Sequence, residues 1–360
     1  MYPLLKDNNF QKKIALKKEF QMKYDGEKKD ILKEDEAGKL CKNETFTLAP
    51  HQEFVKTFIS HHTPYNGLLL YHGMGSGKTC SVIGICEEHR KYNKYNKEFK
   101  KIVIVASPNI QENFKLQLFD PNKLEKKNGI WNLEGCVGES LLQEINMFQV
   151  SQLSHETIKK MIEKMIRKSY EFMGYERFGN KIKQLHKKYN NEKHIKKAMK
   201  QEFAHRMIVV DEAHNIRKSE NNTSSGKIVA EGFKILLKYV QKMKLLFLSG
   251  TPMFNNPREI VFLMNILNSN DQQSQIKEGD VFDKQDNLIV DTNGAKIGEE
   301  ILKSKCNGYI SYVRGENPFL FPFKIYPFDF DTERSILSIQ YPRKQYNGSI
   351  IDNPLQHLDL

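Results

Sequence analysis

A glycine-rich segment of the chain has the residue types and spacing of a phosphate-binding loop. Residues 68–79 read LLLYHGMGSGKT, which fits the pattern G-x-x-x-x-G-K-[ST] except that His72 replaces the first glycine. In such a loop, backbone N–H groups turn toward phosphate oxygens, the lysine reaches the β- and γ-phosphates, and the hydroxyl ligates Mg²⁺. An apolar run before the segment and a helical pattern after it argue against a chance match in a flexible linker. The residues predicted to bind nucleotide here are Gly73, Gly75, Ser76, Gly77, Lys78 and Thr79, with Thr79 also on the metal.

Two adjacent carboxylates could supply the metal ligand and the base that phosphate hydrolysis requires. Asp211 and Glu212 directly follow the apolar segment MIVV, which places them at the carboxyl end of a strand, where α/β proteins bind ligands. An acidic pair in this position is often only the N-cap of a helix. Together with an upstream phosphate loop, the pair indicates that Asp211 holds Mg²⁺ through its water shell and Glu212 polarises the attacking water as general base. We therefore predict Lys78, Asp211 and Glu212 as the catalytic residues.

Imidazole and hydroxyl groups at the same predicted edge are suited to couple the nucleotide site to other parts of the chain. They are His214, which follows the carboxylate pair, and Ser249 and Thr251 in the S-G-T-P turn after another apolar run. The hydroxyls could sense the γ-phosphate, and the histidine could carry a hydrogen bond between the two segments. The alternatives are a histidine that caps the loop and an ordinary turn, which this composition also favours.

Further polar positions are candidates because of where they fall relative to the apolar runs. Gln52 lies in an amphipathic stretch upstream of the phosphate loop, where its amide could both donate to and accept from an adenine edge. Ser107, Pro108 and Asn109 follow the run KIVIVA, and a polar turn at a strand end can donate hydrogen bonds to a nucleic-acid backbone. A lone glutamine is uninformative by itself, and a plain turn explains the S-P-N segment equally well.

The apolar runs that precede these residues predict the fold class. Short runs at 68–71, 101–106, 207–210 and 245–248 are separated by polar or helical segments. Fully apolar strands with helices between them are what a parallel sheet covered on both faces requires, so we predict an α/β fold. The predicted domains are a charged leader at 1–45, an ATP-binding lobe at 46–270 with a helical, basic insertion at about 140–203, and a connecting segment at 271–360 that leads toward a second lobe.

An insertion is predicted because about a hundred residues separate the second and third apolar runs. One crossover helix needs fewer. Its first part is amphipathic, with apolar residues at 158, 161, 162, 165 and 166, which favours packing against the core. A later part, KIKQLHKKYNNEKHIKKAMK, is strongly basic. It could line a nucleic-acid path, and a solvated charged helix is an equally good interpretation.

The composition narrows the classes of protein to consider. Lys and Arg outnumber Asp and Glu by 56 to 44, and the formal charge of +12 suits a polyanionic partner, although lysine-rich proteins without one are common. The five cysteines are scattered without a C-x-x-C pair, so neither a disulfide framework nor a zinc site is indicated, and a reducing compartment is expected. Without a long apolar run or a signal-peptide core, we expect a soluble, intracellular protein with no membrane partner. Residues 1–45, rich in Lys, Glu and Asp, are expected to form a solvated helix or to be partly disordered.

The order of these motifs resembles a known family. Gln52 followed by GSGKT, SPN, DEAH and SGTP resembles the first RecA-like lobe of superfamily 2 helicases, and SGTP with FNNPREIVFLMNIL is similar to the Swi/Snf-type branch. The segments TPYNGLLLYHGMGSGKTC, YEFMGYERF, DEAHNIR and GYISYVRGENPFLFPFKIYP resemble the helicase-like ATPases of nucleocytoplasmic large DNA viruses. That family includes the small subunit of the poxvirus early transcription factor and the poxvirus nucleoside triphosphate phosphohydrolase I. The resemblance spans residues 46–327.

This resemblance implies a parallel-sheet RecA-like P-loop NTPase lobe that binds ATP and Mg²⁺ and hydrolyses ATP. It implies a helicase or translocase that acts on nucleic acid, DNA rather than RNA. It also implies a link to viral transcription, with RNA polymerase or transcription factor subunits as partners, and a location in the host cytoplasm, in viral factories, or in the virion.

One departure from the family pattern has consequences for activity. Superfamily 2 motors carry an arginine finger in a second lobe, typically in a Q-x-x-G-R-x-x-R segment, and this sequence contains no such segment. Because arginine fingers contribute roughly 10³ to 10⁵ in turnover in related NTPases, we expect the chain alone to bind Mg·ATP but to hydrolyse it weakly. Two alternatives remain open, a non-catalytic ATP-binding scaffold of a transcription complex and a fragment of a DEAH-type RNA helicase.

Overall fold

A parallel sheet of six strands is the centre of the fold in the part of the chain that the computed structural model describes. That part comprises residues 1–21, 48–73, 75–94, 100–137, 140–145, 152–216, 224–253 and 256–313. The strand order is β5-β2-β6-β7-β1-β8, and each neighbouring pair is parallel, while β3 and β4 form a separate antiparallel hairpin. The strands are β1 (Gly67–His72), β2 (Ile102–Val105), β3 (Leu124–Lys127), β4 (Ile130–Leu133), β5 (Tyr170–Met173), β6 (Met207–Val210), β7 (Lys244–Ser249) and β8 (Ile310–Val313).

Helices cover the sheet and form most of the connections between its strands. They are α1 (Phe10–Ala15), α2 (Lys18–Gln21), α3 (Pro50–Phe58), α4 (Lys78–Asn93), α5 (Pro108–Leu118), α6 (Ser140–Glu144), α7 (His155–Ser169), α8 (Tyr175–Lys187), α9 (Glu192–Phe203), α10 (Ser224–Tyr239), α11 (Glu259–Asn270), α12 (Glu278–Val281) and α13 (Ile297–Cys306). None of the helices in these described ranges combines the length and the apolar character that crossing a bilayer requires.

Two hydrophobic layers sandwich the sheet, because successive residues of a strand point to opposite faces. On β6, Ile208 and Val210 join one layer, whereas Met207 and Val209 join the other. Helices α8 to α11 cover the first layer, and α3 to α5 cover the second. The α/β fold with a parallel RecA-like sheet is therefore confirmed, and the four predicted apolar runs are β1, β2, β6 and β7.

Two strands of the sheet were not predicted from the sequence. The strand β5 lies inside the segment predicted as a helical insertion, and β8 lies inside the predicted connecting segment. Both are edge strands, and each is only partly buried. An edge strand in this position needs no continuous apolar run, so the pattern that identified the four central strands is absent from both.

A small separate core forms between the β3–β4 hairpin and the first helices of the predicted insertion. The amphipathic helix α7 buries Ile158 and Ile162 against the β3–β4 hairpin and α6, as its pattern predicted, although Met161 is exposed. Helices α8 and α9, which carry the basic segment, instead pack on the main sheet through Phe178, Ile182 and a few other apolar residues.

The first 21 residues differ from the expected solvated leader. Phe10, Ile14 and Phe20 are buried in the second hydrophobic layer, and the hydroxyl of Tyr65 donates to the carbonyl of Pro3 at 2.9 Å. A few apolar residues among many charged ones are enough to bind this segment to the lobe. The rest of the predicted leader, residues 22–47, lies outside the described residues.

A disulfide joins Cys80 to Cys136, although the sequence indicated no disulfide framework. The two Cα atoms are 5.1 Å apart, and the bond joins the start of α4 to the segment after the β3–β4 hairpin. Because the two residues are 56 positions apart and fit no spacing motif, only the fold brings them together. Cys86 and Cys306 are free thiols.

A buried histidine on α4 makes stability sensitive to acid. His89 is 4% exposed and stacks on His61 at 4.2 Å between ring centroids. Burial, followed by the nearby His61 and Lys244, lowers its pKa to about 3. Because the unfolded chain takes up this proton near pH 6.5, stability is complete above that pH and falls as the pH drops toward 3.

We expect His89→Phe to reduce this acid sensitivity while it retains the aromatic stack. Between pH 7 and pH 5 the wild type should lose about 2 kcal/mol of unfolding free energy that the variant keeps. Urea unfolding at both pH values measures the difference. An equal loss in the two proteins would show that His89 does not titrate as proposed.

Candidate nucleotide site at the carboxyl edge of the sheet

The predicted nucleotide residues meet because β6, β7 and β1 are neighbours in the sheet. Tyr71 lies opposite Ser249, and Val210 lies opposite Phe247, so the three strands end at about the same level. The phosphate loop follows β1, the carboxylate pair follows β6, and the S-G-T-P turn follows β7. The sequence predicted that these segments end at one edge of the sheet, and the structure supplies the strand order and the geometry.

The phosphate loop depends on two glycines with left-handed backbone. Gly75 has φ 76° and Gly77 has φ 75°, a region that side-chain-bearing residues rarely adopt. A Cβ on Gly77 would also lie 2.4 Å from Nε2 of Gln52. Ser76 closes the loop by donating from its hydroxyl to the carbonyl of Gly73 at 2.7 Å. The loop ends at the N-terminus of α4, whose free N–H groups and dipole favour an anion.

Lys78 is held inside the loop by backbone carbonyls. Its Nζ donates to the carbonyl of His72 at 2.8 Å and to that of Gly73 at 3.1 Å. Burial lowers the pKa of Lys78, and the charges of Glu212 and Asp211 oppose that shift. A Cβ on Gly250 would lie 3.7 Å from the same Nζ, so the S-G-T-P turn lies directly against the lysine.

The carboxylate pair is anchored through its backbone. The N–H of Asp211 donates to the carbonyl of Val105 at 3.0 Å, and the N–H of Glu212 donates to Oδ1 of Asp211 at 2.8 Å. Burial raises the pKa of Asp211, with a smaller opposing effect from the Glu212 N–H. The half-buried carboxylates beside the phosphate loop offer the oxygen ligands that Mg²⁺ prefers, so the residues present fit a Mg²⁺ ion carried by a nucleotide.

His214 contacts both the carboxylate pair and the S-G-T-P turn. Its Nδ1 lies 3.2 Å from Oε2 of Glu212 and 3.1 Å from Oγ of Ser249. The same Oγ accepts the N–H of Thr251 at 3.0 Å. A protonated Nδ1 donates to the carboxylate, whereas an unprotonated one accepts from the serine hydroxyl. The three groups predicted to couple the segments therefore form one hydrogen-bonded cluster, while their functional role stays a prediction.

Gln52 lies beside the phosphate loop with its amide already bonded. Its Oε1 accepts the N–H of Ala49 at 2.8 Å, and its Nε2 donates to the carbonyl of Gly77 at 3.0 Å. The residue therefore positions the loop in this structure, and its contact with adenine stays a prediction. The neighbouring His51, which the sequence analysis did not select, has Nε2 3.1 Å from the carbonyl of Ser76.

His72 explains why the loop departs from the glycine pattern. The side chain is fully buried, and its Nε2 lies 2.9 Å from the hydroxyl of Ser311 on β8. Burial, followed by the charges of His51 and Lys78, lowers its pKa to about 4, so the ring is neutral at pH 7. The residue thus joins the loop to the edge strand, a contact that glycine could not make.

The S-P-N turn is near this site but not part of it. Ser107, half-buried, is the N-cap of α5, and Pro108 and Asn109 are exposed at the start of that helix. They follow β2, which is separated from β7 and β1 by β6. Their exposure is compatible with a nucleic-acid contact, which stays a prediction.

Tyr175 is a residue of the site that the sequence analysis did not select. Its hydroxyl donates to the carbonyl of Asp211 at 2.7 Å, although it belongs to α8, which follows the edge strand β5. Burial raises the pKa of Tyr175 to about 12, so the hydroxyl keeps its proton at neutral pH. The segment YEFMGYERF was noticed as a family resemblance, but nothing in it indicated a contact with the carboxylate pair.

Comparison with known proteins identifies several viral relatives. A protein of Acanthamoeba polyphaga mimivirus provisionally named as an ATP-dependent RNA helicase is 27% identical over 355 residues, which cover 90% of this chain and 28% of the relative. A second mimivirus protein of that provisional name is 27% identical over 75% of this chain and 41% of its own length. A provisionally named helicase of Invertebrate iridescent virus 3 is 29% identical over 73% of this chain and 23% of its own length. The chain thus spans less than half of the length of these relatives.

A solved structure is also similar to this chain. It is the SWI2/SNF2 ATPase core of Sulfolobus solfataricus in complex with double-stranded DNA, with 16% sequence identity and a TM-score of 0.41. The match covers 75% of this chain and 45% of that chain. At the level of sequence families, residues 51–287 match the SNF2-related domain, a span that contains the phosphate loop, the carboxylate pair and the S-G-T-P turn. The chain therefore belongs to the SNF2-related domain family of helicase-like ATPases.

Proposed function

We propose that the chain is the ATP-binding and hydrolysing lobe of a nucleic-acid-dependent ATPase, a helicase or DNA translocase linked to viral transcription. The main support for this proposal is the position of three separate segments. Lys78, the S-G-T-P turn and the Asp211–Glu212 pair, which lie far apart in the sequence, meet at one edge of the sheet. A scaffold that only folds has no need of a half-buried lysine whose charge interacts with two carboxylates.

Each side chain has a role in the proposed hydrolysis. The loop N–H groups and Lys78 hold the β- and γ-phosphates, and Thr79 and Asp211 hold the metal. Bound Mg²⁺ would neutralise charge on the phosphate oxygens. Glu212 takes a proton from the attacking water, and His214 carries the change to Ser249. Because an arginine finger would come from elsewhere, turnover by this chain alone is proposed to be weak.

The nucleic-acid partner is proposed to be DNA rather than RNA. The sequence resemblance to the large-DNA-virus ATPases supports DNA and a transcription role beside RNA polymerase or transcription factor subunits. From the same resemblance we propose that the chain belongs to the poxvirus-type branch and acts in the host cytoplasm or in the virion. The names of the mimivirus relatives instead support an RNA helicase, which is the second candidate.

A nucleotide-binding assay and an ATPase assay on the 360-residue chain test the proposal. Each is measured without nucleic acid and with duplex DNA, single-stranded DNA or RNA. We expect Mg²⁺-dependent ATP binding and slow hydrolysis that duplex DNA stimulates most. Preferential stimulation by RNA would favour the RNA helicase, and binding without any hydrolysis would favour a non-catalytic scaffold. Absence of Mg²⁺-dependent ATP binding would overturn the proposal.

The basic segment of α8 and α9 is the proposed contact for the nucleic-acid backbone. Residues 181–200 contain eight lysines and one glutamate. Several of these lysines are exposed and show no ion pair with another described residue, whereas Lys160 of α7 pairs with Glu156. We expect the triple change Lys193→Gln, Lys196→Gln and Lys197→Gln to weaken binding of duplex DNA.

The measurement is the affinity for duplex DNA at a series of salt concentrations. Each lysine that contacts a phosphate should reduce the slope of log affinity against log salt by about one. The matched control replaces Lys160, Lys164 and Lys168 of α7 by Gln, which removes the same charge. Equal effects of the two triple changes would indicate a general charge effect instead of a contact.

A further inference from the structure

The peptide unit between the two catalytic carboxylates is bonded at both ends. Its carbonyl oxygen, that of Asp211, accepts the hydroxyl of Tyr175 at 2.7 Å. Its N–H, that of Glu212, donates to Oδ1 of Asp211 at 2.8 Å. This peptide plane ends at the N–Cα bond of Glu212, so its orientation sets φ of Glu212. The direction of the Glu212 side chain depends on that torsion.

That orientation is not one the backbone prefers. Glu212 has φ 44°, in the left-handed region that is unfavourable for a residue with a side chain. A flip of the peptide between Asp211 and Glu212 would change this φ directly and could return it to the ordinary region. The flip would also turn the carbonyl away from Tyr175, so the tyrosine hydroxyl opposes the relaxation.

The tyrosine is well placed for this role because its helix is rigidly docked. Tyr175 is the first residue of α8, and the N–H of Phe178 donates to the carbonyl of Gly174 at 3.0 Å. One turn further, a Cβ on Gly179 would lie 2.6 Å from the carbonyl of Ile228, so α8 contacts α10 backbone to backbone. The turn that Tyr175 contacts is itself closed by a backbone bond, since the N–H of Asn215 donates to the carbonyl of Glu212 at 2.9 Å.

We propose that Tyr175 is a positioning residue that latches the Asp211–Glu212 peptide, so that the Glu212 carboxylate is held where it can act on the attacking water. The inference rests on the proposed hydrolytic function and adds a residue to it. Tyr175 itself does not touch the reacting atoms. It acts across the sheet, from the helix after β5 to the turn after β6.

Tyr175→Phe tests the latch, because it removes only the hydroxyl. In single-turnover hydrolysis by the 360-residue chain, we expect a rate at least about tenfold below wild type, with the affinity for Mg·ATP changed by no more than about twofold. Tyr65→Phe is the matched control, since Tyr65 also donates its hydroxyl to a backbone carbonyl, that of Pro3, away from the site. It should leave both quantities unchanged.

A crystal structure of the Tyr175→Phe variant gives a readout that does not depend on turnover. We expect φ of Glu212 to leave the left-handed region. If φ stays near its present value and the rate equals wild type, the latch is wrong although the hydrolytic function stands. If wild type shows no Mg²⁺-dependent hydrolysis, the proposed function fails, and the backbone of the variant alone decides whether Tyr175 holds the peptide. If Tyr65→Phe loses as much rate as Tyr175→Phe, the loss comes from general destabilisation and the latch is wrong.

Discussion

Replacing Glu212 by Gln is expected to lower the rate of ATP hydrolysis by about 10²- to 10⁴-fold while Mg·ATP still binds. The amide keeps the shape of the side chain but cannot take a proton from water. The binding contacts, which come from the loop after β1, from Lys78 and from Asp211, are untouched by the change. Single-turnover hydrolysis and equilibrium binding of a fluorescent ATP analogue, measured on the same preparation, separate the two effects.

Two further variants give this prediction its controls. Glu112→Gln makes the same chemical change at an exposed site, where Glu112 pairs with Lys115 at 2.6 Å, and should leave the rate unchanged. Lys78→Ala removes the phosphate contact and should lower binding and hydrolysis together. If Glu212→Gln hydrolyses ATP at the wild-type rate, another group is the base and the assignment of Glu212 is wrong.

The sequence could reveal the parts of the site whose residues lie close together in the chain. A phosphate loop needs its glycines and lysine next to one another, and a carboxylate pair at the end of an apolar run implies the edge of a parallel sheet. Strand order then brings the loop, the carboxylates and the S-G-T-P turn together, as observed. The four central strands were predictable for the same reason, because burial on both faces produces continuous apolar runs.

The parts that sequence analysis missed depend on contacts between distant segments. Tyr175 reaches Asp211 from another helix, and the disulfide joins Cys80 to Cys136 across 56 positions. Neither contact has a local pattern. Gln52 illustrates a related limit, since its residue type fitted an adenine contact, whereas the structure uses its amide to bond Ala49 and Gly77. A side chain that can donate and accept fits many partners, and only the fold selects among them.

The helix that begins with Lys78 is anchored at its other end by a buried ionic cluster. Arg90, 5% exposed, donates from Nε to Oε1 of Glu87 at 2.9 Å and from Nη1 to Oε2 of Glu144 on α6 at 3.0 Å. The hydroxyl of Tyr170 on β5 donates to Oε1 of Glu87 at 2.6 Å. Burial by itself would raise the pKa of Glu144, but hydrogen bonding and charge from Arg90 more than offset it, so that pKa is lowered.

We expect Arg90→Met to lower the free energy of unfolding by about 3–5 kcal/mol, because it leaves Glu87 buried without its cation. Removing the Glu87 charge as well should cost much less, since a buried ion pair replaced by apolar or neutral groups of similar volume is often close to neutral, and Glu144 keeps Lys94 as a partner at 3.3 Å. The double variant Glu87→Gln, Arg90→Met should therefore be more stable than Arg90→Met alone. Urea unfolding of the three proteins at pH 7 measures these differences. If the double variant is less stable than Arg90→Met, the loss comes from the packing of the arginine side chain and not from an uncompensated charge. The cluster would then hold α4 mainly through packing.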